Sequence, residues 1–224
     1  MAERADPRIS MNKLAEYMTA HALRRRQIIE AQKRPKNFMT TRYRVARGAI
    51  VRQLVNNPLG IEHIREAIGE LYRRNPTSEW EEQDTELSIA ALQAFADIGH
   101  GIDINLKVSA AQRAEKLTFG DVEVSVAPDL LISGSNRKGE HFQGAVKLHF
   151  SKENGLDEEA GQYAGALLHH WASNHLTGHP VSRKHVIVID IFEGACFRAP
   201  KATARKLQHV EAACEEVALR WAAV

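Results

Sequence analysis

Two stretches decide how this chain is read: Val124-Ser-Val-Ala-Pro-Asp129-Leu-Leu-Ile132 and Gly144-Ala-Val-Lys147-Leu-His149-Phe150. Both are short, apolar and rich in branched residues, as strands are. Between them Ser133-Gly-Ser-Asn-Arg-Lys-Gly139 supplies turn chemistry, so the two strands are expected to form a hairpin. A period of two sets Ala145, Lys147, His149 and Ser151 on one face of the second strand and sends Val146, Leu148 and Phe150 into the core. On the first strand Asp129 shares its face with Glu123, Ser125 and Leu131, which brings Asp129 close to Lys147 across the hairpin. An unpaired buried charge is strongly unfavourable, so a lysine on a central strand needs a partner. The plain reading is a cross-strand ion pair. The chemical reading is a carboxylate that holds a hard cation beside an ammonium that faces a phosphate.

Outward from the hairpin, the first hundred residues carry helical periodicity. Ser10 caps a helix with Leu14, Met18, Ile28 and Ile29 inside, which Pro35 interrupts. A second helix is expected from about Thr41 to Asn56, a third from Ile61 to Arg73, and a fourth opening at the capping box Ser78-Glu-Trp-Glu81 and running through Phe95 to His100-Gly101. The period then shortens: Ile102, Ile104 and Leu106 alternate with polar residues, as do Val122, Val124 and Val126. Leu156 to Leu176 reads as a helix, Val186 to Phe192 as a buried strand, Phe197 as the start of a short strand and Thr203 to Ala222 as a closing amphipathic helix. The expected fold class is α/β, with residues 1–76 a helical basic region and residues 77–224 an α/β core.

The chain has 224 residues, with 44% apolar and 26% charged side chains, an ordinary globular composition. No apolar run reaches the ~20 residues that span a bilayer, and the N-terminus is not a signal peptide, so no membrane partner is expected. Cys196 and Cys214 stand in no metal-type spacing, which suits a reducing cytoplasm. The net charge of +2 is uninformative, but its distribution is not. Between His21 and Gln53 ten cations, among them Arg24, Arg25, Arg42 and Arg44, face the single acid Glu30. Such a local field attracts polyanions, and Phe38 and Tyr43 are interleaved to stack on bases or sugars. A solvated helix face balanced by the acidic run from Glu79 to Glu86 is the competing reading.

Pro128-Asp129, a hairpin, X-X-Lys147 and a following helix with Gln162 and Tyr163 together resemble the PD-(D/E)XK nuclease superfamily, in particular its RecB-like and lambda-exonuclease-like branches. The resemblance covers about residues 86 to 192 and matches the family's αβββαβ element order, which implies a restriction-endonuclease-like mixed sheet flanked by helices. It further implies a Mg²⁺- or Mn²⁺-dependent deoxyribonuclease in which water attacks phosphorus. Asp129 and the carbonyl of Leu148 would hold the metal, Lys147 would serve the reaction, and Gln162 and Tyr163 would touch the substrate backbone. DNA is favoured over RNA, with Arg24, Arg25, Arg42 and Arg44 gripping the strand.

The family's second acid, two residues before the lysine, is Ala145 here. Glu86 on the preceding helix is the first expected replacement ligand and Glu123 the second, with His149 as a ligand or general base. The alternative is a catalytically inactive nuclease-fold protein that binds nucleic acid or a protein partner. Phage defence and DNA repair are both natural settings.

Other chemistries find less. His169, His170, His175 and His179 lie close in sequence, but the five-residue step from His170 to His175 does not align zinc ligands on a helix. There is no Gly-X-Ser-X-Gly elbow and no phosphate loop ending in Lys-Ser/Thr, so a motor would be a separate protein. The apolar residues Val210, Val217, Leu219 and Trp221 of the last helix leave room for a homodimer.

Overall fold

The computed structural model describes residues 3–35, 42–98, 106–112 and 115–224. It is a mixed α/β structure with seven helices and two mixed sheets among those residues. A short strand β1 (Arg8–Ser10) precedes helix α1 (Met11–Thr19), and the Ser10 side chain accepts the Lys13 N–H at its start. The single helix expected from Ser10 to Pro35 is in fact two, because α2 (Ala22–Lys33) begins afresh at His21. The break is chemically supported. The Arg25 guanidinium reaches back to the carbonyls of Tyr17, Ala20 and Met18 at 3.1, 2.9 and 3.2 Å, satisfying acceptors that the end of α1 leaves open.

Three more helices follow, α3 (Arg44–Asn56), α4 (Glu62–Tyr72) and α5 (Glu79–Asp97), and then strand β2 (Lys107–Ala110). The expected alternation at Ile102 and Ile104 falls outside the described residues, as do Phe38 and the expected helix end at His100-Gly101. Strands β3 (Lys116–Phe119) and β4 (Val122–Ser125) leave the main sheet and form a three-stranded sheet with β1, which runs parallel to β4. This corrects the expectation that Glu123 shares a strand face with Asp129. Pro128, which has no N–H to donate, separates β4 from the strand that follows, and Glu123 is bound instead by Arg8 at 3.0 Å and Lys116 at 2.7 Å.

The five-stranded sheet runs in the order β2, β5 (Leu130–Ser135), β6 (His141–His149), β7 (Val181–Asp190), β8 (Ala195–Arg198). The β5–β6 pair is an antiparallel hairpin with Leu130 opposite Val146, and β7 lies parallel to β6 after a crossover through α6 (Glu158–His175). Strand β7 ends at Asp190 rather than Phe192. The Asp190 carboxylate accepts the N–H groups of Phe192 and Glu193 at 3.1 and 3.2 Å and turns the chain.

Both faces of this sheet are covered. Leu130, Ile132, Val146, Leu148, Ile187 and Ile189 pack with α3, α4 and α5. Leu131, Ala145, Val186 and Val188 pack with α1, α2, α6 and the last helix, α7 (Thr203–Ala223). Residues on either side of position 76 therefore contribute to both cores. In α7, Val210, Val217 and Trp221 are buried within the chain, and of the four residues considered for a dimer Leu219 alone is exposed. Among the described residues no helix is long and apolar enough to cross a membrane.

Candidate functional site

Asp129 stands at the entrance to β5, where its N–H donates to the Val146 carbonyl at 2.8 Å and holds the residue beside Lys147. Its Oδ2 accepts the Leu148 N–H at 2.8 Å and the Lys147 ammonium at 3.0 Å. Its Oδ1 is paired with the guanidinium of Arg47 on α3. Both carboxylate oxygens are thus engaged, and only 7% of the side chain is exposed. Burial pulls the Lys147 ammonium below its ordinary lysine pKa, the charge of Asp129 opposes that shift, and Arg47 adds to it. The cluster carries two cations against one carboxylate.

Aromatic residues form the wall behind Arg47. Its guanidinium lies 4.7 Å from the centre of the Phe150 ring, and Tyr43 stacks on the same ring at 5.3 Å and 25°. Phe192 meets Tyr43 edge-on at 5.9 Å. Tyr43 precedes α3 in a left-handed conformation with φ of 61°, and its N–H donates to Asp84 Oδ1 at 2.9 Å. A non-glycine residue there is strained by about 1–2 kcal/mol, so the Asp84 contact and the ring packing hold the helix entry in place. Burial pushes the Tyr43 phenol above its usual pKa.

The acid that α5 turns inward is Asp84, not Glu86. Trp80, Asp84, Ser88 and Leu92 recur at every fourth position along the covered side, whereas Glu86 lies two residues, about 200°, around from Asp84 and is exposed. Ala145, where the family resemblance would set an acid, is wholly buried in the core shared with α6, so a carboxylate there would be desolvated.

The remaining expected site residues are dispersed. His149 is buried, with Nε2 3.2 Å from the Asn154 carbonyl and 3.8 Å from Asp190, and its Nδ1 has no hydrogen-bond partner. Burial lowers its pKa and Asp190 partly offsets this. The Gln162 amide donates to Glu158 at 2.9 Å, within its own helix. Tyr163 is fixed between α6 and α7 by a 3.0 Å contact from its hydroxyl to His209 and by Lys206 4.0 Å above its ring. Arg24 pairs with Glu16, while Arg25 caps α1 and pairs with Glu216 at 3.3 Å. Arg42 donates to Gln83 at 3.3 Å, and Arg44 is exposed. Leu148 contributes its N–H to Asp129 and its side chain to the core.

Among the described residues no three histidines, cysteines, aspartates or glutamates come together to hold a metal ion. His170 meets Asn174 and the Phe119 ring, His175 meets Trp171, and His179 meets His141. The donor set at Asp129 does not fit Mg²⁺ as arranged: one carboxylate is present, and its two oxygens are taken by Arg47, Lys147 and a backbone N–H.

Sequence reasoning missed Arg47 and Asp84. The every-fourth-residue pattern identifies Asp84. Nothing local separates Arg47 from the other arginines of the basic run, because its partner is 82 positions away. No protein-family model matches the chain, and no curated protein matches it either.

Proposed function

We propose that this chain is a nucleic-acid-binding protein built on a nuclease-type αβββαβ scaffold, in which the Asp129–Lys147–Arg47 cluster meets a phosphodiester without a bound metal. One observation carries this reading: the Asp129 carboxylate is neutralised by two fixed cations and the Leu148 N–H. Where such a scaffold would place a divalent ion, an arginine stands. The cluster keeps an excess positive charge, and Arg47, with 35% of its side chain exposed, is the member that reaches solvent. A guanidinium fixed by an aromatic face and a carboxylate is well prepared to take a phosphate oxygen. Exposed Arg44, at the start of the same helix, adds to the local field. The supporting element order is α5, β2, β5, β6, α6, β7, with an antiparallel β2–β5–β6 meander and a parallel β7.

Metal-dependent DNA hydrolysis is the second reading, favoured by the 3.0 Å contact of Lys147 with Asp129. It requires Arg47 to leave Asp129 so that an oxygen becomes free for Mg²⁺ or Mn²⁺. The test is fluorescence anisotropy with labelled single- and double-stranded DNA over a salt series, paired with calorimetric Mn²⁺ titration. The expected result is salt-sensitive DNA binding, weakened about tenfold in Arg47→Met, and no Mn²⁺ binding near one per chain. Stoichiometric Mn²⁺ binding with DNA cleavage, both lost in Asp129→Ala, selects hydrolysis instead. Absence of DNA binding defeats both.

A further inference from the structure

At the other end of β6 lies a second site that shares no residue with the Asp129 cluster. His141 and Lys147 are six residues apart on that strand, about 20 Å in extended chain. Here β6 and β7 part company: Gln143 pairs with Val181 and Ala145 with Val186, so five steps along β7 are matched to two along β6. Residues Ser182 to His185 bow out, and the His185 carbonyl comes so close to Gly144 that a Cβ there would collide with its oxygen. The bulge and the β5–β6 turn enclose an open cleft of about 810 Å³, within the ~300–1,000 Å³ range of small-molecule sites.

The walls of the cleft are flat rings and cations. Phe142 and His185 stack face to face with centres 4.2 Å apart and planes 8° from parallel. His141 meets His179 at 5.0 Å with the ring planes tilted by 32°. Both cleft histidines are oriented by serines: His141 Nδ1 is 2.8 Å from Ser135 Oγ, and His185 Nδ1 is 2.8 Å from Ser182 Oγ. Arg137, from the β5–β6 turn, and Lys184, from the bulge, both line the cleft, against one acid, Glu140, whose carboxylate accepts the Asn136 amide at 2.6 Å.

We infer that this cleft binds a nucleotide, with the base packed against the Phe142–His185 stack where it lines the cleft and its phosphate held by Arg137 and Lys184. Aromatic rings lining a cleft suit any base, by edge or by face, and guanidinium with ammonium suits a phosphate. The same chemistry is offered by a free nucleoside phosphate and by an unpaired nucleotide within a strand. The inference stands independently of the Asp129 reading.

The test is calorimetry with adenosine monophosphate and anisotropy with a fluorescein-labelled single-stranded hexadeoxynucleotide, on the whole chain and on the surface variants Arg137→Ala and Lys184→Ala. Saturable binding of adenosine monophosphate, weakened about tenfold in each variant, supports the site and a free nucleotide as ligand. Hexanucleotide binding alone, weakened likewise, supports it with a strand as the source. Arg47→Met separates the two sites, since it leaves adenosine monophosphate binding unchanged. Binding of neither probe, or binding that both variants leave intact, overturns the inference.

Discussion

Replacing Asp129 by asparagine keeps the shape of the side chain and removes its charge. The amide introduced by Asp129→Asn can still accept the Leu148 N–H through its one oxygen, but the Lys147 ammonium loses its counter-ion where only 12% of its side chain is exposed. Breaking a buried pair by removing one partner costs about 3–5 kcal/mol. The Arg47 share of the pairing is the smaller, because that side chain is 35% exposed and water screens it. The total expected for Asp129→Asn is therefore about 3–5 kcal/mol, read as a lower urea midpoint at unchanged slope. For a chain of this size the melting temperature should fall by about 6–20 °C. The double variant Asp129→Asn with Lys147→Met removes the stranded ammonium and should recover about 1–3 kcal/mol of the loss. An Asp129→Asn variant within about 1 kcal/mol of wild type, or a double variant that recovers nothing, refutes the assignment of Asp129 as the anchor of a buried ion cluster.

His149 makes a separate prediction about pH. Its folded pKa lies below the ordinary histidine value because burial outweighs the pull of Asp190 and Glu16, with Lys13 acting in the direction of burial. The unfolded chain then takes up the proton first as pH falls. The contribution of His149 is complete above about pH 6.5 and declines below it, down to the folded pKa. Urea unfolding at pH 7.5 and 5.5 should show a loss that His149→Gln makes smaller; an equal loss in the variant contradicts it. Gly144→Ala forces a Cβ against the His185 carbonyl, a backbone atom that cannot swing aside. Thermal unfolding should show a loss of about 1–3 kcal/mol, and a neutral outcome would mean that β6 and β7 are not held that closely.

The α/β class, most of the helices and the β5–β6 hairpin were legible in the chain because they rest on local periods and punctuation. Ser78 does cap α5, and Lys147 and Asp129 do meet. The hairpin forms too, but its turn lies between Ser135 and His141, because Ser133, Gly134 and Ser135 extend β5 and pair with Gln143, Phe142 and His141. The break between α1 and α2 was not legible, since it depends on a guanidinium reaching back one turn in space. Nor was the departure of β3 and β4 into a second sheet, whose partner β1 lies more than a hundred residues earlier.

At the candidate site the same division holds. Sequence alone determined which carboxylate and which lysine share a hairpin, since strand pairing across a short turn leaves little freedom of register. Tertiary structure alone decided that Arg47 would occupy the second oxygen of Asp129 and that Arg24, Arg25 and Tyr163 would bind their own chain. The physical reason is range. Local periodicity fixes the direction of a side chain on its own element, but the charge or ring it meets comes from an element whose placement is set by the packing of the whole core.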